Sequence, residues 1–151
     1  LRPMMLDDLG LVPTLKRYID AMKEQSGIDI RISVAGTDMR LQSYQEVMIF
    51  RAIQELLYNA IRHSQANVIK SQLDMGDGAS NIRVTVEDDG RGFDIDNMAE
   101  QGGMGLKVIG DRVDMLDGIM EIDSVIGQGT RVTFQMPAVP VVEEEISMLG
   151  E

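Results

Sequence analysis

Four side chains fall into register along one helical stretch. Glu55, Asn59, Arg62 and His63 belong to the run Q-E-L-L-Y-N-A-I-R-H-S, residues 54 to 64. At about 100° per residue they share a sector of roughly 100°. Ile53, Leu57, Ala60 and Ile61 continue the row of Phe50 on the other side. One face is dry; the other lines up an acid, an amide, a guanidinium and the chain's single imidazole. A solvated helix face usually carries Lys and Glu pairs instead. Alone, the polar side is read equally well as ordinary surface, since every amphipathic helix has one. Two glycine clusters downstream tip the balance toward a site.

Asp88-Asp89-Gly90-Arg91-Gly92 follows the alternating Ile82, Val84 and Val86. A carboxylate at the end of a buried strand is a good acceptor for an exocyclic amine. Gly90 and Gly92 would let the backbone approach a flat ring. The competing reading is a glycine-rich turn held by an Asx-type bond. A calcium loop fails, because Met98 and Ala99 stand where a further ligand and then Gly are required. Gly103-x-Gly105 directly precedes a helical pattern, which offers unpaired N–H groups and the positive dipole end to phosphates. A dinucleotide fingerprint would need a preceding strand and a third glycine at Val108. A Walker loop would need Lys-Ser/Thr where Leu106 follows Gly105. A purely structural glycine pair at a helix start remains the alternative. Gly127-Gln128-Gly129-Thr130 on its own is a hairpin turn.

The elements that must position these groups follow from periodicity. A helix runs to about Gln25, capped by Asp7 or Asp8 or starting near Val12 because of Pro13, with Leu11, Leu15, Tyr18, Ile19 and Met22 as its buried row. Gly27 ends it, and Ile28, Ile30, Ile32 and Val34 alternate as a strand. Ser43 opens the long helix. Strands follow over 66–75 and 82–86 around a turn at Gly76-Asp77-Gly78, then a mobile loop over 94–102. A helix from Gly103 to about Leu116 and a closing hairpin over 119–124 and 130–136 complete the domain. Two hairpin-connected strand pairs do not fit an all-parallel doubly wound sheet. The pattern predicts an α/β two-layer sandwich: a mixed sheet with helices on one face. Residues 1–137 form one domain, and the acidic segment 138–151 is expected to be a loose tail.

Composition bounds the rest. The chain has 151 residues, 44% of them apolar, enough for a single core. Opening on Leu1, it reads as a piece of a longer protein. No stretch has the length or leader of a membrane-spanning or secretory segment. There is no cysteine for disulfides or thiolate metal sites, and one histidine argues against zinc. A net charge of −11 disfavours nucleic acid. Twelve Met residues fill a core poor in aromatics.

In this order and spacing the segments are far more specific than singly. E-L-L-Y-N-A-I-R-H resembles the N box, D-D-G-R-G-F the G1 box and G-M-G-L the G2 box of the Bergerat-fold (GHKL) ATPases. Within that group the chain resembles the catalytic domain of a bacterial two-component sensor histidine kinase, in the subfamily typified by NarX, DegS and DesK. The opening L-R-P-M-M-L-D-D-L-G-L and the run G-L-K-V-I-G-D-R-V-D-M-L-D-G carry that likeness. The resemblance implies ATP and Mg²⁺ as cofactors. It makes Asn59 the Mg²⁺ ligand and Glu55 the acid that polarises water or orders the metal's surroundings. Arg62 and His63 become the basic pair near the phosphates, and Asp88 the acceptor for the adenine amino group, with Gly90 and Gly92 permitting the ring's approach. Gly103 and Gly105 take the place of lid-hinge glycines ahead of Leu106. Lys107 is implied as a phosphate contact, Thr130 as the support of Asp88, and the Met104 side chain is dispensable. The implied acceptor is a histidine on a separate N-terminal dimerisation domain, with a response regulator as the further partner. The piece itself is expected to be cytoplasmic, monomeric and unable to autophosphorylate. Rival readings are an ATP hydrolase of the Hsp90 or MutL type, an anti-sigma-factor serine kinase, and a nucleotide-free interaction module on the same fold.

Overall fold

A computed structural model describes residues 3–77, 80–97 and 104–142. Its first departure from the sequence pattern is at Gly10. The chain forms two helices there, α1 (Met4–Leu9) and α2 (Leu11–Ser26), so neither Asp7 nor Asp8 caps the longer one. Gly10 sits between them at φ 86°, and a β-carbon there would stand 2.8 Å from the Arg40 side chain. That combination of backbone and space admits glycine alone. Pro13 falls in the first turn of α2, where a missing N–H leaves no bond unmade. Thr14 returns its hydroxyl to the Gly10 carbonyl at 2.7 Å. Gly27, left-handed at φ 72°, closes the helix with its N–H on the Lys23 carbonyl.

The remaining elements are β1 (Asp29–Ala35), α3 (Ser43–His63), β2 (Val68–Asp74), β3 (Asn81–Asp88), α4 (Met104–Met115), β4 (Ile119–Val125) and β5 (Gly129–Pro137). The five strands form one sheet in the order β1-β2-β3-β5-β4. β1 and β2 run parallel and the other neighbours antiparallel, which is the mixed sheet expected. Alternation turns Ile69 and Leu73, then Ile82, Val84 and Val86, then Val132, Phe134 and Met136 toward the helices. There they meet Ile49, Phe50, Ile53 and Leu57 of α3 and Leu15 and Ile19 of α2 in one core. The other face carries Arg83, Thr85, Glu87, Arg131 and Thr133, with Arg131 and Glu87 paired at 3.4 Å. The helices therefore lie on one side only.

Strand parity has a consequence for function. The period of two that buries Val84 and Val86 also buries Asp88, the last residue of β3. Its partner in the β5 register is Thr130. β3 thus extends two residues beyond Val86, and the glycine loop starts only after Asp88. Of the expected loop over 94–102, residues 94–97 hold a short turn in which the Asp94 carboxylate accepts the Asp96 amide at 3.0 Å; the rest lies outside the described residues, as does Gly78 of the β2–β3 turn.

Past β5, residues 138–141 stay attached. The Gln42 amide donates to the Val139 carbonyl at 2.8 Å, and the Val141 amide to the Arg40 carbonyl at 3.0 Å. The buried Gln45 side chain donates to the Pro137 carbonyl and accepts the Val139 amide, each at 2.8 Å. Nearby, Glu46 is buried and accepts Arg40 through both carboxylate oxygens at 3.1 Å. Arg40 also donates to the Asp7 carbonyl at 3.0 Å, tying α1 to the start of α3. No periodicity announces this corner.

Candidate functional site

The site is assembled where the end of β3, the last turns of α3 and the β4–β5 turn converge. Asp88 and Asp89 have identical side chains and opposite employment. The Asp89 carboxylate turns back to accept the Asn67 and Val68 amides at 2.8 and 3.0 Å, fixing the start of β2. Those amides hold its pKa below the usual carboxylate range. Asp88 points to the core side and is 9% exposed. Burial pushes its pKa up, and hydrogen bonds from the backbone of Gly90 and Thr130 partly oppose that; the charges of Asp89 and Glu87 add to the rise. Its Oδ1 accepts the Gly90 amide at 2.9 Å. A carboxylate offers about four lone-pair sites, so capacity remains for a further donor from above.

Above Asp88 lies a cavity of about 510 Å³. Of the residues singled out from sequence, it brings together Asn59, His63, Asp88, Gly92, Leu106 and Thr130, among apolar walls of Val86, Phe93, Ile126 and Val132. An acceptor on the floor of an apolar slot suits a flat heteroaromatic ring with an exocyclic N–H. Glu55 and Gly105 do not line this cavity. They border a second hollow of about 580 Å³ on the α4 side of α3, together with Tyr58 and Arg112. A β-carbon on Gly105 would meet the Glu55 carboxylate, the movable end of a flexible side chain. Arg62 and Lys107 line neither space. Arg62 folds back along the helix to donate to the Tyr58 hydroxyl at 2.8 Å, and Lys107 is exposed. Thr130 directs its hydroxyl to Ser124 at 2.8 Å, while its backbone faces Asp88. Gly103 lies outside the described residues.

The role of the glycines is steric. A β-carbon on Gly90 would collide with the backbone and side chain of Ser64, the residue that ends α3. One on Gly92, at φ 63°, would run into the Val125 carbonyl. The loop is laced on both sides: the Arg91 amide donates to the Ser64 carbonyl and the Gly127 amide to the Arg91 carbonyl, both at 2.6 Å. The Phe93 amide donates to the Ser124 hydroxyl at 2.9 Å. Ser64 and Ser124 are site residues that sequence reasoning missed. The only available signal for Ser64 was its position directly after His63. Ser124 sits six residues before Thr130, with no pattern marking it.

A mixed sheet covered on one face, with a buried strand-end acid beneath an apolar slot and an amide-bearing helix beside it, defines the Bergerat class of ATPase domain. Residues 44–140 match the family described as "Histidine kinase-, DNA gyrase B-, and HSP90-like ATPase", and the chain belongs to it. The signal transduction histidine-protein kinase/phosphatase DegS of Bacillus subtilis is 37% identical over 141 residues, covering 90% of this chain and 36% of that protein. The oxygen sensor histidine kinase NreB of Staphylococcus carnosus is 31% identical over 137 residues, covering 91% of this chain and 39% of the relative. The chain thus spans little more than a third of these proteins. Among solved structures, the histidine kinase domain of the Erythrobacter litoralis blue-light activated kinase EL346 superposes with a TM-score of 0.66 at 26% identity, covering 84% of this chain and 60% of that one. Full-length ShkA, solved with AMPPNP, shares the fold with a TM-score of 0.70 at 19% identity, over 88% of this chain and 30% of that one.

Proposed function

We propose that the chain binds Mg-ATP in the cavity over Asp88 and presents the γ-phosphate to a histidine on a separate helical dimerisation domain. It would act as the catalytic part of a cytoplasmic two-component sensor kinase whose product passes to a response regulator. The observation that carries this reading is Asp88, a buried acceptor at the floor of a ring-sized slot that Asn59 also lines. The Asp88 carboxylate accepts the adenine amino group. Gly90 and Gly92 let the loop pack on Ser64 and Val125, which leaves Phe93 and Ile126 as apolar wall against the base. With the purine so fixed, the triphosphate extends along α3 past Asn59 and His63 toward the N-terminus of α4, whose Gly105 faces Glu55.

Asn59 is one amide oxygen beside the cavity, and the described residues hold no group of three or more His, Cys, Asp or Glu side chains that could cage a metal. That donor set fits Mg²⁺, which keeps waters and phosphate oxygens as ligands. Asn59 would hold it, and the ion supplies neutralisation of phosphate charge. Glu55, one turn before Asn59, orients water around that position and can take a proton from the incoming nucleophile. Arg62 and Lys107 supply positive charge from the two helix ends. Gly103 and Gly105, on either side of Met104, are the hinge glycines of this reading.

His63 is exposed at the cavity's edge and is the chain's only histidine. The reading gives it a part in binding phosphate and not in accepting it. Incubation with γ-labelled ATP and Mg²⁺ should show 1:1 binding and no stable label on the chain. Stable label at His63 would overturn this division of labour.

A further inference from the structure

Arg62 is a cation in a strongly acidic chain, one turn beyond Asn59 on the face that also carries Glu55. Such a group ordinarily finds a carboxylate. Here the hydrogen bond it makes is to a neutral phenol: Nη1 donates to the Tyr58 hydroxyl at 2.8 Å, and the guanidinium carbon stands 5.5 Å from the centre of the Tyr58 ring. The two contacts together hold the guanidinium at the hydroxyl end of the Tyr58 ring. Tyr58 itself is 48% exposed and borders the hollow shared by Glu55 and Gly105. It stands at the apolar–polar boundary of the helix with its hydroxyl outward.

The arrangement leaves charge and donors unspent. A phenol cannot neutralise a guanidinium, and among the described residues no carboxylate pairs with Arg62, which is held next to Tyr58 at the border of the hollow shared by Glu55 and Gly105. Arg62 has five N–H donors, and the contact with Tyr58 uses one of them. Because the Tyr58 oxygen accepts from Arg62, its own proton is directed away from the guanidinium. A free arginine loses much rotamer entropy when it grips an anion; one already laid on a ring loses less. An i,i+4 pair that served only the helix would gain as much from a carboxylate partner.

We propose that Tyr58 is a positioning residue for the phosphate-binding arginine. It preorganises Arg62 without neutralising it, so that Arg62 meets the triphosphate at little entropic cost. The inference rests on the reading of Arg62 as a phosphate contact.

A double-mutant cycle on the 151-residue chain tests it, with MgATP and adenosine titrated calorimetrically against wild type, Tyr58→Phe, Tyr58→Ala, Arg62→Ala and Tyr58→Ala/Arg62→Ala. Tyr58→Phe keeps the ring and loses the hydrogen bond, and should weaken MgATP roughly threefold. Tyr58→Ala loses both contacts and should weaken it roughly tenfold. Adenosine affinity should be unchanged in every variant, and Tyr58→Ala should have no further effect once Arg62 is alanine. If Arg62→Ala weakens MgATP while Tyr58→Ala does not, the inference fails and the reading of Arg62 stands. If Arg62→Ala leaves MgATP unaffected, the reading of Arg62 fails and takes the inference with it. Equal losses for adenosine and MgATP, or additive losses in the double variant, would make Tyr58 a merely structural residue and also overturn the proposal.

Discussion

Asp88→Asn isolates the acceptor to which the proposed function assigns purine recognition. The substitution keeps the shape of the side chain and exchanges one of two acceptor oxygens for a donor. In the native chain Oδ1 already accepts the Gly90 amide at 2.9 Å, so both oxygens are wanted once an amino group arrives. Asparagine has one oxygen to offer. Whichever way its amide turns, its NH₂ faces either a backbone N–H or the ligand's amine. Losing one hydrogen bond to a charged group and opposing two donors costs about 1.5–3 kcal/mol, or roughly a 10- to 150-fold weakening of MgATP. The fold should not suffer to match, because burial already disfavours the charge that asparagine removes. Melting should therefore stay within about 1 kcal/mol of wild type without ligand. The added stability that saturating MgATP gives wild type should shrink in the variant. Calorimetric titration and thermal melts with and without nucleotide provide the comparison. Wild-type affinity in Asp88→Asn would refute the reasoning, and so would a loss of affinity matched by global unfolding.

Three further outcomes follow from the same geometry. With its pKa raised by burial, Asp88 holds its proton in the folded chain at pH values where the unfolded chain has lost it, so its own contribution to stability falls as pH rises through that window. MgATP affinity should move the other way, weakening as pH drops toward the raised pKa, with proton release on binding there; calorimetry in buffers of different ionisation enthalpy would detect both. Gly90→Ala drives a methyl group into the Ser64 backbone and should cost about 1–3 kcal/mol of stability together with a distorted slot, read from denaturant melts and MgATP titration. Glu46→Ala strips Arg40 of its carboxylate and leaves the Leu41 amide, bonded at 3.2 Å, without a partner. Because Arg40 is partly exposed, the loss should be about 2–3 kcal/mol, below that of a fully buried pair, with MgATP binding retained at temperatures where the variant is folded.

Much of this architecture was legible because it depends on short-range period. The alternation through Ile82, Val84 and Val86 carries Asp88 inward without any knowledge of its neighbours, and Phe50, Ile53, Leu57 and Ala60 do bury the expected face of α3. What stayed hidden depends on segments far apart in the chain. Ser64 matters because Gly90 packs on it, and Ser124 because Phe93 and Thr130 both bond it. The break at Gly10 was obscured by an apolar row that runs through both helices, although the glycine itself was in plain sight. The joining of residues 139–141 to 40–42 involves too few residues to create a period. Helical phase placed Glu55, Asn59, Arg62 and His63 on one face, but phase alone could not say that Asn59 and His63 open to one cavity while Glu55 opens to its neighbour.

The central claim is that Asp88 selects a purine by its exocyclic amine, and the most direct measurement is a paired titration of the wild-type chain with ATP and inosine triphosphate at equal Mg²⁺. The two nucleotides differ at the ring position that would face Asp88, where one presents a donor and the other a carbonyl oxygen. The account predicts that ATP binds at least roughly a hundredfold more tightly, because a second acceptor against a buried carboxylate is strongly disfavoured. Equal affinities would contradict it.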